Sequence, residues 1–293
     1  MTATLIDGKA IAAKMHDDNK AKAEALTAEG WRPKLVSVSV GDTAAADLYV
    51  RNQEKAASRS GVEFEARSYP AETSLEQLTG ILQGLNADPR VHGIIIQRPL
   101  PAHIPVKALQ KAVHPLKDVE GMHPASIGNI VYNDLALGPC TAVAAVEILK
   151  TLPLDIEGLN VAVIGHSEIV GKPIAFLMMG LGATVTVCNH MTRSVAMHSR
   201  AADVVFVAVG KPGLVTGNML KPGCAVIDIG INRVEGKTVG DADLESCREV
   251  AGWITPVPGG VGPVTVATLM GNAVLAAKMQ KEHYQKSFVS TSF

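Results

Sequence analysis

The sequence has almost no excess of charge: Lys and Arg number 27, Asp and Glu 28, for a net −1. A nucleic-acid binder is expected to carry a basic face, and a protein held on an anionic membrane a polybasic run, so this balance argues against both. Cysteine is just as sparse. Cys140, Cys188, Cys224 and Cys247 stand 48, 36 and 23 residues apart. With no Cys-x-x-Cys pair, that spacing builds neither a zinc site nor a disulfide framework. Small buried thiols in a reducing compartment, the cytoplasm, are the expectation. The segment Met1 to Asp7 has no basic start and no long apolar run, so no secretory signal is expected. Two charge-free stretches need a membrane check. Pro173 to Thr192 is 20 residues long, enough to cross a bilayer, but Gly180, Gly182, Asn189 and His190 break it into helix, turn and strand. Ala251 to Ala277 starts as a Pro/Gly loop and ends as an apolar helix. No membrane span, repeat or low-complexity segment is expected.

What is present is core-forming material. Hydrophobic residues make up 47% of the chain and charged residues 19%, the opposite of a disordered composition. A length of 293 residues suggests two domains of ~150 residues each. Ile6 to Glu29 has helical spacing and stops at Gly30. Lys34 to Val40 alternates as a strand and ends in the turn signal Gly41-Asp42. A helix over 44–60, a strand over 62–69, a helix over 74–86 and a short strand over 91–97 follow. Strands alternating with helices predict an α/β domain with a mostly parallel sheet. Residues 117–139 read as irregular, with a domain boundary near Pro139 and a linking helix from Thr141. Beyond it come apolar strands at Asn160 to Gly165, Ala183 to Cys188, Asp203 to Gly210 and Cys224 to Gly230. Three of them end in glycine and the Ala183 strand begins beside Gly182, as in a Rossmann-type nucleotide-binding sheet. A last helix is expected from Val264 to about Gln280. The predicted layout is therefore an N-terminal α/β catalytic domain, 1–139, completed by a C-terminal helix over 264–293, and a Rossmann-type NAD(P)-binding domain, 140–263.

Gly165-His-Ser-Glu-Ile-Val-Gly171 sits between a predicted strand and helix. It departs from Gly-x-Gly-x-x-Gly. It reads either as an ordinary strand-to-helix turn or as a phosphate loop at a helix N-terminus. An NAD-selective domain carries an acid about 20 residues past its glycines. Here that region, Val187 to Arg193, has no acid but does have His190 and Arg193, which favours the 2′-phosphate of NADP. Tyr49 and Gln53 are four apart on a predicted helix and share a face. His92, His103, His114 and His123 lack metal-ligand spacing, so no metal is expected.

Four segments together resemble the methylenetetrahydrofolate dehydrogenase/cyclohydrolase family: Tyr49-Val-Arg-Asn52, His92-Gly-Ile-Ile-Ile-Gln-Arg-Pro-Leu-Pro101, Lys117-Asp-Val-Glu-Gly121 and Thr255-Pro-Val-Pro-Gly-Gly-Val-Gly-Pro263. Gly165 to Pro173 and Asp228-Ile-Gly-Ile-Asn232 agree as well. The resemblance implies two domains with a cleft between them, a folate substrate, NADP with NAD as the alternative, and a homodimer. It implies oxidation of 5,10-methylenetetrahydrofolate to the methenyl form, then hydrolysis to 10-formyltetrahydrofolate. It points to Tyr49, Gln53, Gln97 and Glu120 as the catalytic positions. Folate binding falls to Tyr49, Gln97, Pro99, Leu100, Gly259, Gly260, Val261 and Pro263. Cofactor binding falls to Gly165, His166, Ser167, Ile169, His190, Arg193, Val209, Gly210, Ile231 and Thr265.

The chain departs from the family pattern where the chemistry is most demanding. Gln53 stands where the family has lysine, Ala46 where it has serine, and Glu120 where it usually has aspartate. Lys55 is ~200° further round the helix and cannot take the lysine's place without a shift. Hydride loss from the methylene carbon is pushed by the adjacent nitrogen lone pair and needs positioning more than proton transfer. Hydrolysis must move protons, which Gln53 cannot do. The expectation is retained dehydrogenase activity with cyclohydrolase activity reduced or absent, and Glu120 as the residue able to compensate. Two other readings remain: a folate- or nucleotide-binding pseudoenzyme, and a two-domain NAD(P) oxidoreductase acting on a different one-carbon carrier.

Overall fold

A computed structural model describes residues 2–41 and 44–290, with side chains throughout except at 44–48 and 286–290. The expected turn residue Asp42 and the side chain of Ala46 lie outside the described residues. In chain order the elements are β1 (Thr4–Leu5), α1 (Gly8–Ala28), β2 (Lys34–Val40), α2 (Ala44–Arg59), β3 (Glu63–Tyr69), α3 (Leu75–Ala87), β4 (Gly93–Ile96), α4 (Val106–Ala112), α5 (Pro124–Val131), α6 (Cys140–Lys150) and β5 (Asn160–Ile164). They continue with α7 (Gly171–Gly180), β6 (Thr184–Cys188), α8 (Val195–Ser199), β7 (Val204–Val207), β8 (Ala225–Asp228), β9 (Asn232–Val234), β10 (Lys237–Val239), α9 (Leu244–Arg248), β11 (Trp253–Ile254) and α10 (Val261–Ser290).

The chain forms two compact units, one of residues 14–129, 135–140 and 269–293, the other of residues 1–13, 130–134 and 141–268. The expectation put 1–139 and the C-terminal helix over 264–293 in one unit and 140–263 in the other. The first thirteen residues join the second unit because β1 pairs in parallel with β11, Thr4 beside Trp253 and Leu5 beside Ile254. The last helix starts at Val261, three residues before the expected Val264, and the divide between units falls inside it.

The first unit is built on a parallel three-stranded sheet in the order β3-β2-β4. The β4 residues Ile94, Ile95 and Ile96 are buried, each stabilising by ~1.5–3 kcal/mol. Ile94 and Ile96 join Val36, Val38 and Val40 of β2 and Leu78, Leu82 and Leu85 of α3 in one core. Helix α3 is started by a capping box in which Ser74 and Gln77 satisfy each other's backbone N–H groups. Gly93 is required by packing, because a Cβ there would lie 2.6 Å from Val119 Cγ1. That close approach lets residues 118–120 run along the free edge of β4, with Asp118 bridged to Ile94. The region 117–139, expected to be irregular, contains α5. Asp118 Oδ2 steadies its start by accepting from His123 N–H and the Ser126 hydroxyl, both at 2.7 Å.

The second unit is a six-stranded parallel sheet in the order β1-β11-β8-β7-β5-β6. Strand order reverses at β5, so the loops after β5 and β7 flank the switch point where such sheets bind ligands. The core contains Ile164, Val205, Val207, Val226 and Ile254. All four cysteines are buried free thiols, as expected.

Candidate active site

In the first unit, α2 carries Tyr49 and Gln53 one turn apart. Tyr49 is 57% exposed, while Gln53 is only 7% exposed. Gln97 follows the last residue of β4, and its backbone N–H extends the sheet by donating to Val38 carbonyl at 2.8 Å. Its side-chain Nε2 donates to Gln53 Oε1 at 2.6 Å and to Ser37 Oγ of β2 at 2.9 Å. All three side chains are buried. Helix α2 and strands β2 and β4 thus converge on one carboxamide–carboxamide–hydroxyl group at the carboxyl end of the sheet. Lys55 is exposed, in keeping with the helical rotation that separates it from Gln53.

Glu120 reaches the same strand end. Its Oε2 accepts from Ile96 N–H at 3.4 Å, and its Oε1 lies 3.8 Å from Arg98 Nη2, so the carboxylate engages the residues on either side of Gln97. Burial pushes its pKa up to about 7, against the opposing pull of Arg98 and the Ile96 N–H. Pro99 is exposed and Leu100 half-buried just beyond. The segment carrying Glu120 is pinned from α10, where Asn272 Nδ2 donates to the carbonyls of Val119 and Gly138 at 2.8 and 3.1 Å. Lys117 is structural: it is buried, and its Nζ donates to the carbonyls of Leu85 and Asp88.

In the second unit, Gly165 has φ +117, and a Cβ there would sit 2.2 Å from Ala208 carbonyl oxygen. Gly171 is as tightly held, its Cβ position being 1.9 Å from Gly165 carbonyl oxygen. Both ends of the loop therefore need glycine, and the loop delivers the chain directly into the N-terminus of α7. Ser167 Oγ accepts from Val170 N–H at 3.2 Å, holding the turn. His166, Ser167 and Ile169 are exposed on it. The His166 and His190 rings are brought together with centroids 6.2 Å apart. Arg193 is exposed beyond them, and Thr265 is turned back on its own helix, donating to Val261 carbonyl.

Two buried carboxylates, not singled out in the sequence, organise the neighbouring loops. Asp241 Oδ2 accepts from Val209 N–H at 2.6 Å and Gly210 N–H at 2.8 Å, and its Oδ1 accepts from Asn232 Nδ2 at 2.9 Å. Val209 and Gly210 therefore offer a ligand their other atoms, not their N–H groups. Asp228 Oδ1 accepts from Gly230 and Asp241 N–H groups and its Oδ2 from Ala242 N–H, all within 3.0 Å. Burial raises the Asp228 pKa to about 6. A cavity of about 220 Å³ in this unit is walled by Lys9, Gly230, Ile231, Gly259, Gly260 and Pro263. The structure thus brings Ile231 and the Gly259–Pro263 loop together. The only sequence signal for Asp241 was an acid shortly after the Asp228-Ile-Gly-Ile-Asn232 segment, too common a feature to single out.

Among the described residues, no group of three His, Cys, Asp or Glu is placed to hold a metal ion. The glycine-bounded loop, the switch point and the exposed His pair fit a dinucleotide.

Comparison with known proteins agrees with this arrangement. The catalytic-domain model of tetrahydrofolate dehydrogenase/cyclohydrolase matches residues 6–120, and the NAD(P)-binding-domain model of the same family matches residues 139–281. The bifunctional protein FolD 2 of Mesorhizobium japonicum is 62% identical over 266 residues, covering 89% of this chain and 87% of that protein. The crystal structure of the bifunctional enzyme FolD, methylenetetrahydrofolate dehydrogenase/cyclohydrolase, from Campylobacter jejuni superposes with a TM-score of 0.92 at 39% identity, over 94% of this chain and 99% of that one. The Trypanosoma brucei methylenetetrahydrofolate dehydrogenase-cyclohydrolase, complexed with NADP and an inhibitor, gives 0.89 at 36%, over 95% and 98%. With both family domains matched in order along its length, the chain belongs to the tetrahydrofolate dehydrogenase/cyclohydrolase family.

Proposed function

We propose that this protein oxidises 5,10-methylenetetrahydrofolate to 5,10-methenyltetrahydrofolate with NADP, and that its hydrolysis of the methenyl product is strongly reduced. Gly165, His166, Ser167, Ile169, Val209, Gly210, Ile231 and Thr265 hold the cofactor, with His190 and Arg193 near its 2′-phosphate. The bound cofactor supplies the hydride acceptor. Tyr49, Gln97, Pro99, Leu100 and the Gly259–Pro263 loop hold the folate. The protein works in the cytoplasm as a homodimer.

The single observation that carries the reading is the buried 2.6 Å pairing of Gln53 with Gln97. Hydride leaves carbon with its bonding electrons, and the product cation is delocalised over the two flanking nitrogens, so the protein need take no proton. Orientation of the folate ring supplies much of the acceleration. Hydrolysis adds water to the cation and must both remove a proton from that water and protonate the ring nitrogen that leaves. A carboxamide does neither. General acid–base help contributes ~10²–10⁴-fold, and that is the expected deficit. Glu120, titrating at about 7, is the group at this strand end able to restore part of it.

The test is substrate-dependent cofactor reduction followed at 340 nm, run with NADP and then NAD. Reduction with NADP at an efficiency well above that with NAD is expected. No reduction with either cofactor would transfer the assignment to a binding protein or to a different one-carbon carrier.

A further inference from the structure

The pairing of β1 with β11 does more than tie down the N-terminus. The two strands run in parallel, Thr4 beside Trp253 and Leu5 beside Ile254, so the residues after each leave the sheet at the same carboxyl end. After β11 come Thr255 to Pro263, which include the loop assigned above to folate. After β1 come Asp7, Gly8 and Lys9, at the start of α1. The two segments pack closely. A Cβ on Gly8 would lie 1.8 Å from Gly260 carbonyl oxygen, so only glycine fits there. Lys9 Cε lies 3.5 Å from the place a Cβ would take on Gly259, so the lysine stem runs across a residue that has no side chain. Lys9 thereby forms part of the wall of the cavity of about 220 Å³. It is exposed and is in no ion pair among the described residues. Its neighbour Asp7 is engaged with the helix start, Oδ1 accepting from the Lys9 and Ala10 backbone N–H groups at 3.0 and 3.1 Å. Asp228, the acid in the cavity wall, is 3% exposed, and both its oxygens already accept from backbone N–H groups. The charge that this wall offers a ligand is therefore positive.

We propose that Lys9 is a substrate-binding residue: its ammonium receives a carboxylate at the glutamate end of the folate, beside the Gly259–Pro263 loop. The inference rests on the oxidation proposed above and names the group that recognises the charged end of its substrate. At neutral pH the ring system of 5,10-methylenetetrahydrofolate carries no net charge. Its negative charge lies on the carboxylates of the glutamate tail, so a cation beside the folate loop has no other anion of the substrate to meet. Those carboxylates are remote from the carbon that loses hydride, and the contact is the same in the ground state and the transition state. Such uniform binding lowers KM and leaves kcat alone. A compact ammonium on a four-carbon stem suits a mobile end group, because it needs no fixed fork geometry. The reacting carbon becomes positive, so a cation near it would oppose the reaction. The tail is the part of the substrate that Lys9 can approach without that cost.

The experiment is steady-state NADP reduction by the full chain and by Lys9→Met, Lys9→Glu and Lys9→Arg, with thermal melting to check folding. Each protein is given 5,10-methylenetetrahydrofolate and, separately, the same compound without its glutamate, 5,10-methylenetetrahydropteroate. Lys9→Met is expected to raise KM for the folate about 5-fold with kcat little moved, the size of one solvent-exposed charge-assisted contact. Lys9→Glu should raise it further, to about 20-fold, since repulsion replaces attraction. Lys9→Arg should recover most of the loss seen with methionine. On the truncated substrate every protein should share one KM. The difference between native and Lys9→Met should also shrink in about 0.5 M KCl, where exposed charges are screened. A folate KM that Lys9→Met leaves unchanged, or a difference that persists undiminished on the truncated substrate, would overturn the proposal. A rise in KM for NADP alone would overturn it too, and would give the ammonium to a phosphate of the cofactor. Absence of any folate-dependent NADP reduction by the native protein would instead overturn the reading beneath it, and the proposal with it.

Discussion

Gln97 itself is held by side chains that satisfy one another, two carboxamides and a hydroxyl, with Glu120 beside them as the group that titrates at about 7. Around Asp241 the buried polar groups are carboxylates satisfied by the backbone, with Asp228 and Asp241 together accepting from five N–H groups of the loops after β7, β8 and β10. In the first unit the scaffold around Gln97 is regular secondary structure, with side chains meeting at strand and helix ends. In the second unit the loops are irregular backbone, and buried side chains hold that backbone in shape. On the proposed function, the chemical side chains and the shaping side chains are thus different residues in different units. Substitutions should separate them: changes around Gln97 should alter rates, and changes around Asp241 should alter stability and cofactor affinity together.

The largest expected effect is on chemistry. Gln53→Lys should raise hydrolysis of 5,10-methenyltetrahydrofolate by ~10²–10⁴-fold, read from loss of methenyl absorbance, because it puts a titratable group at residue 53, where a carboxamide can move no proton. No gain would mean that Gln53 is not what limits hydrolysis, and the division between the units would lose its sharpest edge. Next is Asp241→Ala, which strands the N–H groups of Val209 and Gly210. A loss of ~3 kcal/mol in urea unfolding is expected, with weaker NADP binding by titration. A stable variant with weakened NADP binding would show that Asp241 touches the cofactor instead of shaping its loop.

A smaller effect tests the contrast through pH. His92 is buried in the first unit, and its pKa is pushed down to about 4 by burial. Its contribution to stability is complete above the unfolded value of about 6.5 and is lost as pH falls toward 4. His92→Gln should therefore gain ~2 kcal/mol relative to the native protein between pH 7 and pH 4.5. Asp228 runs the other way. With its folded pKa raised to about 6, protonation favours the folded state, so native stability from this group grows as pH falls from 6 toward 4. Asp228→Asn should lose ground to the native protein over that interval, and like signs for the two variants would contradict the assignment. The smallest effect expected is at the His pair. His166→Ala should weaken NADP binding by ~5–10-fold while leaving NAD nearly unaffected, as loss of one hydrogen-bonding contact to a phosphate would. Equal loss for both cofactors would place His166 away from the 2′-phosphate.

These differences also explain what could be read in the sequence. The longer strands were legible because they are continuous or alternating apolar runs, as at Val36–Val40 and Val204–Val207, whereas the two- and three-residue strands β1, β9, β10 and β11 were not. Tyr49, Gln97 and Glu120 were expected only because they sit in short segments that resemble the family; alone, a tyrosine on an Ala-rich helix says little. The Gln53–Gln97 bond was only half legible: the helix face was predictable, but the strand end it meets lies 44 residues away. Asp241 was not legible at all, because a carboxylate that shapes backbone has no required spacing, only a three-dimensional one. The pairing of β1 with β11 was missed for the same reason. A two-residue strand has no period to detect, and its partner lies some 250 residues downstream.

The central claim is that the site is built for hydride transfer and poorly built for proton transfer. The most direct measurement is to supply 5,10-methenyltetrahydrofolate itself to the native enzyme with NADP present, at pH 7.5, and to follow its hydrolysis against the uncatalysed rate. The account predicts a rate close to the uncatalysed one while the same preparation reduces NADP briskly from the methylene substrate. Hydrolysis as fast as NADP reduction would contradict it.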